Sequence, residues 1–256
     1  MIYITAEISS HWKGDFHVLR KIAQTCRDFG IDAVKLQALS VEKLCRHPEL
    51  SYYENSSVTP DNIDRIDRIM NQIGIEWYCT PTYADAVEFL DDYVNQYKIS
   101  VAGWKDEELK ERVLSTGKKV IVSSEKPLNL KDKRIKNLYC IPNYPTLYSE
   151  INFPALKMFD GYSNHCQNAL AVLTAVEYGA KYIEFHMTPS KDLFLLDNKV
   201  AFNFMESLDM VRWIRRFECW YNSSGKDDEC TISEQSFSQN KRKRGPPART
   251  GLGNKP

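Results

Sequence analysis

Short apolar segments alternate along the chain with segments whose apolar positions have helical spacing. The strand-like segments are Tyr3–Ser9, Asp32–Gln37, Glu76–Thr80, Tyr97–Ser100, Lys119–Ser123, Leu138–Ile141 and two more that end near His165 and His186. The helix-like segments are about Asp15–Phe29, Pro60–Ile73, Ala84–Tyr93, Lys105–Ser115, Ala169–Tyr178 and Asn203–Trp220. Several of these end just before a glycine, which is a usual C-terminal signal. This order predicts parallel strands joined by helices.

Eight strands in βα alternation favour a closed (β/α)8 TIM barrel over an open doubly wound sheet, which usually has fewer strands. The barrel fits within about 220 residues, near the lower end of the usual size. The connection from Ser124 to Asn137 contains Pro127 and the charged run KDKRIK at 131–136, which leaves little room for a helix. We therefore expect a compact barrel with a thin wall on this side.

The character of the sequence changes after the last predicted helix. Ser, Asn, Gly, Asp and Lys dominate there, and the chain ends in NKRKRGPPARTGLGNKP. Without hydrophobic periodicity this segment predicts a disordered tail, so we divide the chain into a barrel domain, 1–220, and a basic tail, 221–256. For the cluster Lys241–Arg244, a solvated tail is favoured over a nuclear signal or an anion-binding arm.

Composition narrows the class of protein. Hydrophobic residues make up 43% and charged residues 27% of the chain, which is ordinary for a globular protein with a full core. The formal net charge is zero, which argues against nucleic acid or a membrane surface as a partner. Seven cysteines without a CxxC pair, and a start without a basic, long apolar leader, predict a reduced cytoplasmic protein.

Side chains alternate faces along a strand, so parity predicts which residues point into the barrel. In the first strand we expect the apolar side chains of Ile4 and Ala6 to face the surrounding helices. Glu7 is on the opposite face and should therefore point into the barrel. Burying an unpaired charge costs several kcal/mol, so the inward charges need a partner, a metal or a ligand. An ion network of Glu7 with Lys35, or of Lys98 with Glu184, is the structural alternative to a site for a multiply anionic substrate. The inward polar set is Glu7, Lys35, Gln37, Thr80, Lys98, Ser123, Ser163, His165, Glu184 and His186.

Two histidines stand at the carboxyl ends of what we predict to be adjacent parallel strands. His165 and His186 are joined by one predicted βαβ unit, so their strands should be about 4.8 Å apart. At that spacing both imidazoles can reach one metal ion at about 2.0–2.2 Å. The alternative is two buried histidines in separate hydrogen bonds, and the paired geometry favours the metal.

Eight segments occur in the order and spacing of the sialic acid synthases: AEISSHWKGD, DAVKLQ, EWYCTP, YKIS, KVIVSS, NYPT, GYSNH and GAKYIEFHMT. The chain resembles the catalytic barrel of N-acetylneuraminate synthase and of its legionaminic and pseudaminic relatives over about residues 2 to 216. The resemblance implies that phosphoenolpyruvate condenses with the open-chain aldehyde of an N-acyl hexosamine. Phosphate is released and a nine-carbon 2-keto acid is formed.

The resemblance also implies residue roles. His165 and His186 match the ligands of a divalent ion, Mn²⁺ or Mg²⁺, that polarises the aldehyde oxygen. Lys35 and Lys98 match the lysines that hold phosphoenolpyruvate, and Glu184 lies beside the metal site. Whether Glu7 or Glu184 handles protons stays open. The remaining matched positions are Thr80, Ser123 and Ser163 around carboxylate and phosphate, and Glu7, Gln37, Tyr144 and Asp197 on the sugar side.

The sequence departs from the family pattern at several positions. The usual Ser-Thr-Gly-Met after the fifth strand is Ser-Ser-Glu-Lys at 123–126, which places an anion near the expected phosphate position. Val101, Pro142 and Asn164 replace residues that are usually a serine, a polar residue and an aspartate. The antifreeze-like C-terminal domain, with the arginine that a partner subunit lends to the sugar site, is not expected here. Lys191, Lys199 or a tail arginine would have to replace it, and a homodimer stays open.

These departures leave two alternatives to the synthase. One is a degenerate barrel that binds a sugar phosphate without turnover, which Glu125 favours. The other is a metal-dependent aldolase or isomerase, since one scaffold hosts many reactions.

Overall fold

The structure, a computed structural model, describes residues 1–40, 50–191 and 195–222. Within them the chain forms eight strands that hydrogen-bond in sequence order and close between the last and the first. All neighbouring pairs are parallel. The predicted closed barrel is confirmed. The strands are β1 (Tyr3–Glu7), β2 (Ala33–Ala38), β3 (Glu76–Pro81), β4 (Gln96–Ile99), β5 (Lys119–Ser124), β6 (Ile135–Tyr139), β7 (Gly161–Asn164) and β8 (Tyr182–His186).

Helices surround the barrel, and short 3-10 turns complete several connections. The helices are α1 (Phe16–Phe29), α2 (Leu50–Ser56), α3 (Ile63–Ile73), α4 (Ala86–Leu90), α5 (Glu107–Ser115), α6 (Ala169–Glu177) and α7 (Phe204–Asn222). None of them combines the length and apolarity needed to cross a bilayer, as far as the described residues go. The predicted tail lies outside the described residues, apart from Tyr221 and Asn222 at the end of α7.

Several predicted elements differ from the structure. β1 ends at Glu7 and a 3-10 turn, Ser9–Trp12, begins two residues later, so the predicted strand was too long. β6 begins at Ile135 rather than Leu138, because Ile135 pairs with Val120 of β5. The short helix α2 was not predicted.

The thin wall predicted between β5 and β6 is confirmed. No helix forms between Ser124 and Ile135, and the β6–β7 connection contains only two 3-10 turns, Tyr148–Glu150 and Phe153–Met158. One flank of the barrel is therefore covered by loops. The charged run 131–136 crosses this flank and enters β6.

The core has two unequal parts. A large cluster between the sheet and the helices contains the outward side chains that parity predicted, among them Ile4, Ala6, Val34 and Leu36. A small cluster fills the inside of the barrel with Ala33, Tyr78, Ile121 and Leu138. This inner plug does not extend to the carboxyl ends of the strands. The inward positions nearer those ends hold polar groups.

Gly161 sets the approach of the two strands that carry the histidines. A Cβ at this position would lie 2.0 Å from the carbonyl oxygen of Tyr182 in β8. No real Cβ tolerates that distance, so β7 and β8 pair this closely only with glycine here. The pairing places Ser163 beside Glu184 in register.

Candidate active site

A buried network of four charges crosses the inside of the barrel just above the apolar plug. Lys35 Nζ lies 2.6 Å from Glu7 Oε2 and 3.1 Å from Glu184 Oε1. Lys98 Nζ lies 2.7 Å from the other oxygen, Glu184 Oε2. Ser163 Oγ donates to Glu184 Oε1 at 3.0 Å. Each of the four charged residues is at most 6% exposed, so the network meets the pairing requirement that burial imposes.

The two pairs that parity suggested are both present, and Lys35 joins them into one chain of contacts. The strands explain this: Glu7 is level with Lys35 on one side and with His186 on the other. Thr80 lies next to the network, with its Oγ1 3.4 Å from Lys35 Nζ. Gln37 is level with Thr80 and half-buried at the rim of β2.

The four charges are not equivalent. Burial raises the pKa of Glu184, but the fields and hydrogen bonds of Lys35 and Lys98 outweigh it and hold that pKa far below its usual range. Burial also opposes the charge of Lys35, yet Glu184 and Glu7 raise the pKa of its ammonium. Lys35 and Glu184 therefore form the fixed ion pair at neutral pH.

Glu7 and Lys98 stand at the two ends of that fixed pair. Burial raises the pKa of Glu7 in spite of Lys35, and the charge of Glu184 adds to the rise. Burial lowers the pKa of Lys98, and Lys35 adds to the fall, although Glu184 opposes both. The charged forms of these two groups are disfavoured, so they are the members of the network suited to exchanging a proton.

The two histidines meet above this network. Their ring centroids are 5.5 Å apart. Tyr144 Oη lies 2.9 Å from His165 Nε2 and 3.5 Å from His186 Nε2, so both nitrogens face one point. His165 Nδ1 is 2.9 Å from the carbonyl oxygen of Ile141. Since a carbonyl only accepts, Nδ1 carries the hydrogen and Nε2 presents its lone pair.

His186 is a neutral base in this environment. Burial lowers the pKa of its imidazole to about 4, against the field of Asp197. Its Nδ1 is buried without a hydrogen-bond partner and lies 3.9 Å from Asp197 Oδ1. Ser10 Oγ donates to the other oxygen, Asp197 Oδ2, at 2.6 Å. Ser10 thereby fixes the carboxylate that faces this imidazole.

The side chains at this point supply only part of the coordination that a divalent ion needs. Two imidazoles that face a common point are suitable ligands. No group of three or more His, Cys, Asp or Glu side chains is placed to hold a metal, as far as the described part of the chain extends. The protein would therefore supply His165 and His186, and oxygens of water or substrate would complete the coordination. The metal ion stays a prediction.

A cavity of about 560 Å³ opens between the loops that follow β4, β5 and β6, and none of the four network charges belongs to its lining. Ser123, a predicted substrate-binding residue, lines it, and Ser123 Oγ is buried without a hydrogen-bond partner. Lys105 and Lys126 bring cations to the wall, and Glu125 and Glu150 bring carboxylates. The cavity thus has a free hydroxyl donor on its floor and charges of both signs at its rim.

The structure adds residues that the sequence did not single out. Ser10 and His11 lie in the 3-10 turn after β1, where strand parity no longer applies. His11 is buried, and its Nε2 is 3.0 Å from Asn198 Oδ1, so this turn is tied to the loop after β8. Cys140 Sγ lies 3.8 Å from His165 Nδ1. Lys191, named as a replacement cation, pairs with Glu206 at 2.7 Å.

Comparison with known proteins places this geometry in a family. A model of the NeuB family matches residues 22–226. An uncharacterized protein of Methanocaldococcus jannaschii is 28% identical, and the match covers 88% of this chain and 73% of that protein. Pseudaminic acid synthase of Campylobacter jejuni is 25% identical, with 93% and 80% covered.

The fold has a solved counterpart as well. N-acetylneuraminic acid synthetase from Leptospira borgpetersenii, solved with citrate, superposes with a TM-score of 0.77 at 20% identity. The superposition covers 94% of this chain and 90% of that one. At this identity the likeness shows that the two barrels share a fold.

Proposed function

We infer, because the chain belongs to the NeuB family, that its barrel is a synthase of the sialic acid type. The proposed reaction joins phosphoenolpyruvate to the open-chain aldehyde of an N-acyl hexosamine, with water as the third reactant. The products are a nine-carbon 2-keto sugar acid and inorganic phosphate. Relatives named as synthases of such acids support this class.

The observation that carries the proposal is the position of the buried charge network directly beneath two imidazoles that face one point. A structural ion network alone would not require two histidines whose Nε2 atoms face one point above it. Phosphoenolpyruvate brings a carboxylate and a phosphate, which suit Lys98 and the unpaired Ser123 hydroxyl beside the large cavity. The sugar then lies on the side of Tyr144, Gln37 and Asp197.

In the proposed chemistry, C3 of the enol attacks the aldehyde carbon and forms the new C–C bond. The aldehyde oxygen takes up a proton and becomes a hydroxyl group. Water then adds at C2, and the C2–O bond to phosphate breaks to leave the 2-keto group. A divalent ion held by His165 and His186 would supply polarisation of the aldehyde oxygen.

The pKa directions favour Glu7 over Glu184 for moving protons. Glu184 is held as a carboxylate by two lysines, whereas burial raises the pKa of Glu7 and so favours its protonated form more than in a free carboxyl. We assign Glu7 the transfer to or from the sugar oxygen and Glu184 the task of positioning Lys35 and Lys98. Glu7 is level with His186, which places it on the same side as the histidines.

One observation favours a second candidate, a barrel that binds a sugar phosphate without turnover. Glu125 lines the large cavity next to Ser124, and Glu150 adds a second carboxylate. Two anions near the position expected for the phosphate of phosphoenolpyruvate disfavour that substrate and hence its turnover, unless Lys105 and Lys126 offset them. A cytoplasmic location, a homodimer and the choice of ion stay predictions beside either candidate.

Phosphate release tests the proposal. The protein is mixed with Mn²⁺, phosphoenolpyruvate and a panel of N-acyl hexosamines, and inorganic phosphate is measured over time. Release that depends on the sugar supports the synthase. Binding of phosphoenolpyruvate without release supports the second candidate, and interconversion of sugars without phosphoenolpyruvate supports an aldolase or isomerase.

The variant Glu125→Gly refines this assay. If the carboxylate weakens phosphate binding, its removal lowers the KM for phosphoenolpyruvate and leaves the KM for the sugar unchanged. The matched control is Glu111→Gly, which also removes one exposed carboxylate but lies in α5, outside the residues that line the cavity. An equal effect of both variants would contradict the role given to Glu125.

A further inference from the structure

A second cavity lies at the opposite end of the barrel, where the strands begin. Its volume is about 270 Å³. Gln96, Lys119 and Tyr182, the first residues of β4, β5 and β8, line it. It is separated from the candidate active site by the inner plug, of which Ile121 is shared with the cavity wall.

Four cations surround this cavity, and no carboxylate belongs to its lining. Three of them, Lys133, Arg134 and Lys136, come from the charged run at 131–136, and Lys119 comes from β5. Because no helix forms between β5 and β6, the run lies against the strand ends. The charged run therefore contributes to a binding surface that the proposed reaction does not use.

Carboxylates outside the cavity neutralise part of this charge. Arg134 binds Asp132 through Nε and Nη2, with the shortest contact, Nη2–Oδ2, at 2.6 Å. Lys136 Nζ is 3.3 Å from Asp160 Oδ1.

Lys119 and Lys133 are different. Neither forms an ion pair with any residue that the structure describes. Burial raises the pKa of Glu76, and the charge of Lys119 lowers it by less, so the pKa is raised overall. Glu76 Oε2 in turn accepts from Tyr3 Oη at 2.9 Å. Positive charge thus exceeds negative charge around the cavity.

The floor and wall supply neutral contacts. Gln96 is 6% exposed, and its Nε2 donates to Tyr3 Oη at 2.8 Å, which fixes the amide plane at the floor. The Tyr182 ring forms the wall, with Lys136 Nζ 6.0 Å from its centroid. A volume near the lower end of ligand pockets admits a small molecule rather than a polymer.

We propose that this cavity binds a small phosphorylated anion, a phosphomonoester or a diphosphate, through Lys119, Lys133 and the free edge of Arg134. Guanidinium and ammonium groups together bind phosphate oxygens by charge-assisted hydrogen bonds. The aromatic wall and the amide floor suit the organic part of such a molecule. The proposal does not depend on the reaction at the other end of the barrel.

Calorimetric titration of the full chain with inorganic pyrophosphate at low salt tests the proposal. The test variant is Lys119→Ala with Lys133→Ala. The matched control is Lys21→Ala with Lys131→Ala, which also removes two exposed lysines, one of them from the same charged run, without touching the cavity lining. We expect binding about tenfold or more weaker in the test pair and within about twofold of wild type in the control pair.

Equal weakening in both pairs would mean that only net charge matters, and no weakening in the test pair would mean that pyrophosphate binds elsewhere. Either result overturns the proposal. If the alanine pair lowers the melting temperature, Lys119→Gln with Lys133→Gln removes the same charges and keeps the side-chain length. Sugar-dependent phosphate release is measured separately, so failure of the synthase proposal is distinguishable from failure of this one.

Discussion

Both ends of the barrel hold lysines, but under opposite conditions. At the carboxyl end, Lys35 and Lys98 are almost fully buried and each contacts a carboxylate within 3.1 Å. At the amino end, Lys119 and Lys133 are exposed and form no ion pair among the described residues. Only the short plug of Ala33, Tyr78, Ile121 and Leu138 lies between them.

The difference follows from the cost of desolvation. A charge removed from water needs a partner in the folded state, so the buried end is internally compensated and rigid. A charge left in water has no such requirement and is available to an external anion. The buried end therefore suits proton transfer, and the exposed end suits binding of an anion.

The largest expected effect comes from replacing one lysine at each end of the barrel with methionine and comparing the free energies of unfolding. Lys98→Met removes a buried partner of Glu184 and should cost about 3–5 kcal/mol of the free energy of unfolding, together with turnover. Lys119→Met at the exposed end should stay within about 0.5 kcal/mol of wild type. Urea unfolding of both variants measures the contrast.

A second variant checks the cause. Adding Glu184→Gln to Lys98→Met removes the carboxylate that has lost one of its two lysine partners, so part of the lost stability should return while turnover stays absent. If Lys98→Met unfolds at the same urea concentration as Lys119→Met, the compensation argument for the buried end is wrong.

Much of the buried end was predictable because its residues lie on regular strands. Parity places Glu7, Lys35, Lys98 and Glu184 inside, and the structure confirms those positions and contains both ion pairs that the structural alternative named. The contact of Lys35 with Glu184 was not predictable, since it depends on the registers of β2 and β8 against β1, the strand between them.

The site residues that the sequence did not predict lie outside the strands, where side chains do not alternate between two faces. Ser10 and His11 follow β1 in a 3-10 turn, and their partners Asp197 and Asn198 lie in another turn nearly the whole chain away. The cavity at the amino end was missed for a related reason. A charged run such as 131–136 is normally a solvated surface, and only the absence of a helix brings it against the strand ends.

The next expected effect concerns the metal. His186→Ala removes one of the two imidazoles that face a common point, so Mn²⁺ should bind more than about tenfold more weakly, while the fold is retained. Calorimetric titration with Mn²⁺ measures it. His17→Ala, an exposed histidine on α1, is the control and should bind like wild type. Unchanged affinity in His186→Ala would remove this histidine from the metal site.

A smaller effect is expected from the two neighbouring serines after β1. Ser10 Oγ holds Asp197 at 2.6 Å, whereas Ser9 Oγ is buried without a hydrogen-bond partner. Ser10→Ala should raise the KM for the sugar by about tenfold, in keeping with a lost hydrogen bond to a charged group, and leave the KM for phosphoenolpyruvate unchanged. Ser9→Ala should leave both constants unchanged. Steady-state kinetics that changed equally in both variants would exclude a positioning role for Ser10.

The smallest expected effect is a change in the free energy of unfolding with pH. It distinguishes Glu7 from Glu184, the two carboxyl groups of the buried network. Burial raises the pKa of Glu7 above its ordinary value of 4.5, so between 4.5 and the raised pKa the folded protein binds more protons than the unfolded chain. Its contribution to stability therefore falls as pH rises through that window. Glu184 behaves oppositely, because its lowered pKa gives stability that is present above 4.5 and lost as pH falls below it.

Urea unfolding at several pH values, from about 4.5 to about 7.5, tests this difference. The free energy of unfolding of wild type minus that of Glu7→Gln should decrease as pH rises, because only the wild type has the group with the raised pKa. The same difference for Glu184→Gln should decrease less, because Glu184 itself stays charged in this range and its removal only lessens the rise in the pKa of Glu7. Parallel curves for wild type and Glu7→Gln would mean that Glu7 is charged throughout, and the assignment of proton transfer to Glu7 would then fail, since its carboxyl would hold no proton to give.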